Sequence, residues 1–111
     1  MKIHREDNGA VTIIRLNGKL MGGPDAEHFQ KLIKDLVNED RKQVLVDMGK
    51  VSWVNSTGLG ILISGYTTLK NAGGNLKLVS VNKRIDQIFM VTKLHTIFEA
   101  YEEETRALAS F

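Results

Sequence analysis

Apolar residues near the start of the chain alternate with turn signals in the manner of short strands. Residues 10–16 are rich in β-branched side chains, which predicts a strand. The Asn-Gly pair at 8–9 is a hairpin signal and predicts an antiparallel partner strand over residues 3–6. A second Asn-Gly pair at 17–18 predicts another turn, which leads into a short extended piece at 19–20. This part of the chain therefore predicts two strands and the beginning of a third.

The next segments carry a helical period and then a continuous apolar run. Residues 24–38 show apolar side chains at helical spacing, and Pro24 suits the first helical position because its missing N–H costs nothing there. Residues 43–47 form a nearly continuous apolar run, which is typical of a strand buried on both faces. Residues 51–54, which include the only tryptophan, are predicted as a loop or a short edge piece.

The second half of the chain repeats this alternation of helix and strand. A helix is predicted to follow residue 56 and to end at the glycine pair 73–74, with an apolar face made of Leu59, Leu62, Ile63, Tyr66 and Leu69. A strand is predicted at 75–81, and Asn82 is suited to cap a short helix that contains Ile85, Ile88 and Phe89. A last helix is predicted over residues 102–108.

The order of these elements indicates the fold class. Strands that alternate with helices of these lengths imply βαβ crossovers and parallel pairing, while the opening hairpin adds an antiparallel portion. We expect an α/β fold with a small mixed, largely parallel sheet of four to five strands packed with about four helices. The 111 residues fit a single domain spanning residues 1–111.

Composition narrows the classes of function. The net charge is only +2, and the one tight basic cluster, Lys83-Arg84, is interpreted as a solvated helix start rather than a nucleic-acid footprint. The absence of cysteine excludes disulfides, thiolate zinc sites and a cysteine nucleophile. No apolar run is long enough to span a bilayer, and the N-terminus shows no secretory signal. We therefore expect a cytoplasmic protein that contacts neither membrane nor nucleic acid directly.

The stretch Asn-Ser-Thr-Gly-Leu-Gly at 55–60 carries most of the candidate chemistry. It follows a strand and opens a helix, so Ser56 and Thr57 are predicted at the N-cap. The first N–H groups of a helix have no internal partner, and together with the helix dipole they favour a negative group. A phosphate on Ser56 would add roughly −1.5 to −2 charges at pH 7 at such a position. Plain capping by the two hydroxyls is the alternative.

Other candidate residues favour structural interpretations. Gly58 and Gly60 lack the further residues of a nucleotide-binding loop, so tight packing of helix on strand is preferred. Asp47, at a predicted strand end with no second carboxylate beside it, is assigned a loop-ordering hydrogen bond. Two interpretations of Trp53 and Val54 remain open, namely that they are core residues or that they are exposed anchors for a binding partner. No metal site and no cofactor are expected, and core filling is predicted for Met21, Met48 and Met90.

Residues 44–60 resemble the signature of the bacterial anti-sigma factor antagonists, which belong to the STAS domain family. Val-Leu-Val-Asp at 44–47 is followed by Val-Ser-Trp-Val-Asn-Ser-Thr-Gly-Leu-Gly at 51–60. The family pattern is a strand ending in Asp or Asn, an apolar loop, and Asp-Ser-(Ser/Thr/Ala)-Gly-Leu-Gly opening a helix. The resemblance extends over nearly the whole chain and includes Leu-His-Thr-Ile-Phe at 94–98. It implies a STAS-type fold.

The resemblance also implies a mechanism, which is partner switching. In this family the unmodified antagonist binds an anti-sigma factor that is also a serine kinase, and so frees the sigma factor. The kinase then phosphorylates the antagonist and ends binding, and a PPM-type serine phosphatase restores it. The matching serine is Ser56, and the implied partner-binding residues are Trp53, Val54, Asn55, Ser56, Thr57 and Gly58. The chain departs from the family pattern at Asn55, where Asp is usual.

On this interpretation the chain is a kinase substrate and not an enzyme, has no catalytic residue, and is a monomer or weak homodimer. One alternative is a STAS-type subunit or scaffold of another complex, such as a lipid-transport machine or a stress-sensing assembly. A second alternative is a small hydrolase with Ser56 as nucleophile. The sequence has no Gly-x-Ser-x-Gly motif and no identifiable base paired with Ser56, which disfavours the hydrolase.

Overall fold

A computed structural model describes all residues from 1 to 111 and contains one five-stranded sheet with four α-helices. The elements in chain order are β1 Lys2–Asn8, β2 Val11–Leu20, α1 Pro24–Asn38, β3 Gln43–Val54, α2 Ser56–Asn71, β4 Asn75–Val79, α3 Lys83–Val91, a one-turn 3₁₀ helix Leu94–Thr96, β5 Ala100–Tyr101 and α4 Glu104–Ala109. The strands lie side by side in the order β1-β2-β3-β4-β5. Only the β1–β2 pair is antiparallel, which confirms the predicted mixed, largely parallel sheet.

The sheet is covered unequally on its two faces. Alternate residues of β2, β3 and β4 point to a large core of 21 buried residues shared with α1, α2 and α3. The intervening residues form a smaller cluster of five, to which α4 contributes Ala107. Val44, Leu45 and Val46 divide between the two clusters, which confirms that their continuous apolar run belongs to a strand buried on both faces. None of the helices combines the length and the apolar character needed to cross a membrane.

The structure corrects the predicted turn in β2 and decides between the two alternatives for the end of β3. The Asn-Gly pair at 17–18 does not turn the chain, because β2 continues through it to Leu20. The pairing register shifts on either side of Gly18, and Gly18 adopts φ +123°, so the glycine produces a β-bulge instead of a turn. Of the two alternatives for residues 51–54, the loop is wrong and the edge piece is confirmed, because these residues pair with β2 on one side and β4 pairs only with residues 43–47 of β3. They extend β3, with Trp53 paired to Lys19 and Val54 to Leu20.

The helix boundaries follow the predictions more closely. The structure confirms α1 over Pro24–Asn38 and the end of α2 just before Gly73, which has φ +89°. The last helix starts two residues later than predicted, at Glu104, because residues 100–101 pair with β4. Core filling by methionine holds for Met48 and is wrong for Met21 and Met90, which are 46% and 59% exposed.

Candidate functional site at the amino end of α2

Asn55, and not Ser56 or Thr57, caps α2. Its backbone is extended and its side-chain oxygen accepts a hydrogen bond from the Gly58 N–H at 2.8 Å. The predicted cap is therefore displaced by one residue, because Asn caps as well as Ser and here Ser56 already has helical geometry. Ser56 is exposed as the first residue of the helix, and its hydroxyl makes no hydrogen bond to the protein. The serine oxygen is thus free of the capping role.

The helix start offers donors to a negative group. The Leu59 N–H binds the Asn55 carbonyl at 2.9 Å, and the Gly58 N–H binds the cap, while the N–H groups of Ser56 and Thr57 have no protein acceptor. The dipole of this 16-residue helix adds a partial positive charge at the same end. The unpaired N–H groups and the helix dipole are already in place, so the chain need not rearrange when an anion is attached here.

The loop that follows β2 is fastened to this helix start. The Asn55 N–H donates to the Leu20 carbonyl at 3.4 Å, and the Asn55 amide donates to the Met21 carbonyl at 3.3 Å. Gly22, at φ +101°, lies so close to Thr57 that an added Cβ would be 2.6 Å from the Thr57 methyl carbon. The loop and the first turn of α2 therefore form one surface.

The two glycines of the motif have different roles. A Cβ on Gly58 would collide with the Leu20 backbone carbonyl, so Gly58 permits α2 to pack against β2. This confirms the predicted helix–strand packing at Gly58. Gly60 faces open space, where a Cβ would meet nothing within 4 Å, so packing does not explain it.

Trp53 and Val54 divide between the two interpretations left open by the sequence. Val54 is 1% exposed and belongs to the core, so its side chain is not a surface anchor for a partner. Trp53 is 38% exposed, and the Arg84 guanidinium lies 5.8 Å from its ring centroid. Trp53 and Arg84 line a depression of about 490 Å³ together with Lys19, Met21 and Ser52.

Three of these lining residues are not identified by the sequence patterns. Lys19 and Met21 are missed because a turn is predicted at 17–18. Arg84 is missed because the Lys83-Arg84 cluster is interpreted as a solvated helix start. A signal exists for Arg84. The α3 helix begins with Lys83 and Arg84, and two cations in a first turn oppose the helix dipole.

Asp47 lies inside β3 and not at a strand end. It accepts a hydrogen bond from the Gly49 N–H at 2.9 Å, as a local ordering role predicts, and another from Arg15 at 2.8 Å. Arg15 also binds Glu104 at 2.7 Å and Glu6 at 2.8 Å, so carboxylates that the sequence does not reveal lie nearby. The hydrogen bond with Glu104 is the main cause that raises the pKa of Arg15. This cluster connects β1, β2, β3 and α4 on the sheet face opposite α2.

Comparisons with known proteins agree with this geometry. A family model described as "STAS domain" matches residues 2–107. An anti-sigma F factor antagonist from Paenibacillus polymyxa is 24% identical over 113 residues, covering 97% of this chain and 92% of the relative. An anti-sigma factor antagonist from Mycobacterium paratuberculosis has a similar crystal structure, with TM-score 0.83, 22% identity, and coverage of 98% of this chain and 92% of that one. SpoIIAA, a Bacillus cell fate determinant solved in its phosphorylated form, gives TM-score 0.77 at 17% identity over 98% of both chains. At these identities the solved structures establish the fold.

Proposed function

The chain belongs to the STAS domain family, and from this premise we propose that it is an anti-sigma factor antagonist switched by phosphorylation of Ser56. In its unmodified form it binds an anti-sigma factor and so releases a sigma factor. The anti-sigma factor is also a serine kinase, and a PPM-type phosphatase reverses the modification. The proposed function makes this chain a substrate and a binding protein, not an enzyme, and requires the bacterial cytoplasm, where transcription takes place.

The observation that supports the proposal most strongly is the exposed hydroxyl of Ser56 at the first position of α2. Because Asn55 makes the capping hydrogen bond, modification of Ser56 removes no bond that holds the helix. The unpaired N–H groups and the helix dipole stabilise the phosphate where it is attached. A kinase can therefore reach the oxygen, and the fold can accept the product.

The same phosphate penalises docking. Interface cores are depleted of charge, and a buried unpaired charge is costly. A partner that covers the helix start would have to desolvate a dianion three residues along the chain from Trp53, which is 38% exposed. A loss of about 3 kcal/mol would weaken binding roughly a hundredfold, with no change of fold.

Asn55 is compatible with this switch. Its amide donates to the Met21 carbonyl, which a carboxylate in the same place could not do. An aspartate would also add a negative charge beside the phosphate. The asparagine thus fastens the β2–α1 loop and leaves the helix start without a like charge.

The direct test is phosphorylation by each anti-sigma kinase of the source genome with Mg-ATP, followed by mass mapping of the modified residue. We expect one phosphate on Ser56, lost in Ser56→Ala and retained in the matched control Thr57→Ala. Phosphate on Thr57, or none with any kinase, would overturn the assignment. Co-purification with membrane transporter subunits and no kinase would favour the other STAS roles instead.

A further inference from the structure

A groove on α3, the α3 groove, has a volume of about 340 Å³. Its lining residues are Trp53, Arg84, Gln87, Ile88, Val91 and Thr92. Trp53 and Arg84 also line the depression that includes Met21, so the two concave surfaces share two residues. The Met21 carbonyl accepts a hydrogen bond from Asn55, which connects this depression to the start of α2.

Large apolar side chains are exposed around this groove. Val91 is 85% exposed and Trp53 is 38% exposed, whereas most aliphatic residues of the chain are buried in the core. Clustered exposed apolar residues mark interaction sites more often than singly scattered ones do. Trp is also among the residues most enriched at energetic hot spots of interfaces.

Arg84 distinguishes this groove by its charge. The chain has five arginines, and the other four each form an ion pair with a carboxylate of the protein, namely Arg5, Arg15, Arg41 and Arg106. Arg84 forms none, and it lies against Trp53 although its position in the first turn of α3 opposes the helix dipole. No carboxylate lines either concave surface, so the complementary partner group is an anion.

We propose that the α3 groove selects the anti-sigma factor, and this rests on the proposed function. The partner inserts an apolar side chain between Trp53 and Val91 and pairs a carboxylate with Arg84. Trp53 lies three residues before Ser56, so their Cα atoms are at most about 11 Å apart. A standard interface of about 800 Å² per partner is wide enough to cover both sites. The phosphate decides whether docking occurs, and the groove decides which anti-sigma factor docks.

The apolar contact is tested with the anti-sigma kinase that phosphorylates Ser56, titrated calorimetrically in Mg-ADP so that no transfer occurs. Val91→Asp is expected to weaken binding at least about tenfold. Met90→Asp is the matched control, since Met90 is 59% exposed on the same helix but does not line the groove. It should stay within about twofold of wild type. Equal affinities for Val91→Asp and Met90→Asp would overturn the proposal.

The charged contact has its own readout, which is the dependence of Kd on NaCl. Arg84→Gln should weaken binding and flatten this dependence, because the ion pair that salt screens in the wild type is missing from the variant. Lys34→Gln on α1 removes the same charge outside the groove and should leave the salt dependence at its wild-type value. Identical salt dependences for Arg84→Gln and wild type would rule out the carboxylate partner.

Contact at the groove is also observable directly. Trp53 is the only tryptophan, so 5-fluorotryptophan gives one ¹⁹F resonance that reports this surface. We expect it to shift when the unlabelled kinase is added, and an unshifted resonance in a formed complex would contradict the proposal. If wild type binds no anti-sigma kinase, both proposals fail. If binding persists in Val91→Asp and is lost only on phosphorylation of Ser56, the proposed function stands and the groove proposal alone fails.

Discussion

The amino ends of α2 and α3 are built on the same capping design and carry opposite chemistry. At α2, Asn55 accepts from the Gly58 N–H at 2.8 Å and donates to the Met21 carbonyl at 3.3 Å. At α3, Asn82 accepts from the Ile85 N–H at 2.9 Å and donates to the Val51 carbonyl at 3.1 Å. Each asparagine thus caps its helix and also binds a second segment, which is the residue after β2 for Asn55 and β3 for Asn82.

The two helix starts diverge in the three residues that follow each cap. After Asn55 come two hydroxyl residues and a glycine, whereas after Asn82 come Lys83, Arg84 and Ile85. The third residue is determined by packing. The Ile85 side chain is buried in the core, whereas Gly58 has no side chain because a Cβ there would collide with the Leu20 carbonyl. The first two residues are exposed in both helices. The caps therefore hold the backbone, and the exposed positions carry hydroxyl groups in α2 and cations in α3.

Replacing Gly58 should disturb the α2 start more than any other single change. Gly58→Ala should destabilise the protein by about 3 kcal/mol, because the added methyl group collides with the Leu20 carbonyl and the helix must move. Urea unfolding measures the change. Gly60→Ala is the control on the same helix, and in open space it should stabilise by up to about 1 kcal/mol. Equal effects of the two substitutions would contradict the packing role of Gly58.

Removing either cap tests whether the two designs are equivalent. Asn55→Ala and Asn82→Ala should each cost about 1 kcal/mol of unfolding free energy, since each loses a capping bond and a tie to a carbonyl. Only Asn55→Ala should change the rate at which Ser56 is phosphorylated. A cap whose removal leaves stability unchanged would show that the two helix starts are not equivalent.

A change of charge at the first helical position should change the free energy of unfolding by less than the loss of a cap does, and its sign follows from the helix dipole. Ser56→Asp adds a negative charge and Lys83→Gln removes a positive one, so each should stabilise by about 0.5 kcal/mol at low salt. Ser64→Asp, on the exposed middle of α2, is the matched control and should not stabilise. Thermal unfolding at low and high NaCl separates the dipole effect from other causes, because salt screens it.

The smallest expected effect on stability concerns the ion pairs of Arg5, which serve as a reference away from both helix starts. Hydrogen bonds from Arg5 hold the pKa of Glu39 and the pKa of Asp7 below their ordinary values. Lowered pKa values contribute stability that is full above the ordinary carboxyl pKa of about 4 and is lost as pH falls through the lowered values. Glu39→Gln should therefore reduce the loss of stability on acidification, as measured by urea unfolding at several acidic pH values. Because both carboxylates are exposed, the difference between Glu39→Gln and wild type should be small, and a large difference in the loss of stability on acidification would contradict this interpretation.

Much of the fold follows from local patterns. The helix over 24–38 and the buried run at 44–46 are predicted from the spacing of apolar residues, because helical period and burial determine where apolar side chains occur. The hairpin at 8–9 is predicted from its Asn-Gly pair. The error at 17–18 has a physical origin. An Asn-Gly pair suits a tight turn and a glycine bulge equally, and only the pairing of β2 with β3 decides between them.

The candidate site is predictable in its motif but not in its surroundings. Ser56 stands out in the sequence, whereas the exposure of Trp53 and the burial of its neighbour Val54 depend on the extension of β3 that the wrong turn conceals. Arg84 meets Trp53 only because α3 packs beside the end of β3, a contact between residues 31 positions apart in the chain. Long-range contacts of this kind leave no periodic signal.

The phosphate switch itself is tested by the affinity of the anti-sigma factor for protein that carries phosphoserine at position 56, measured calorimetrically beside the unmodified protein. We expect binding about a hundredfold weaker after modification, since the dianion at the start of α2 must be desolvated on docking. The same Kd for both forms would contradict the switch.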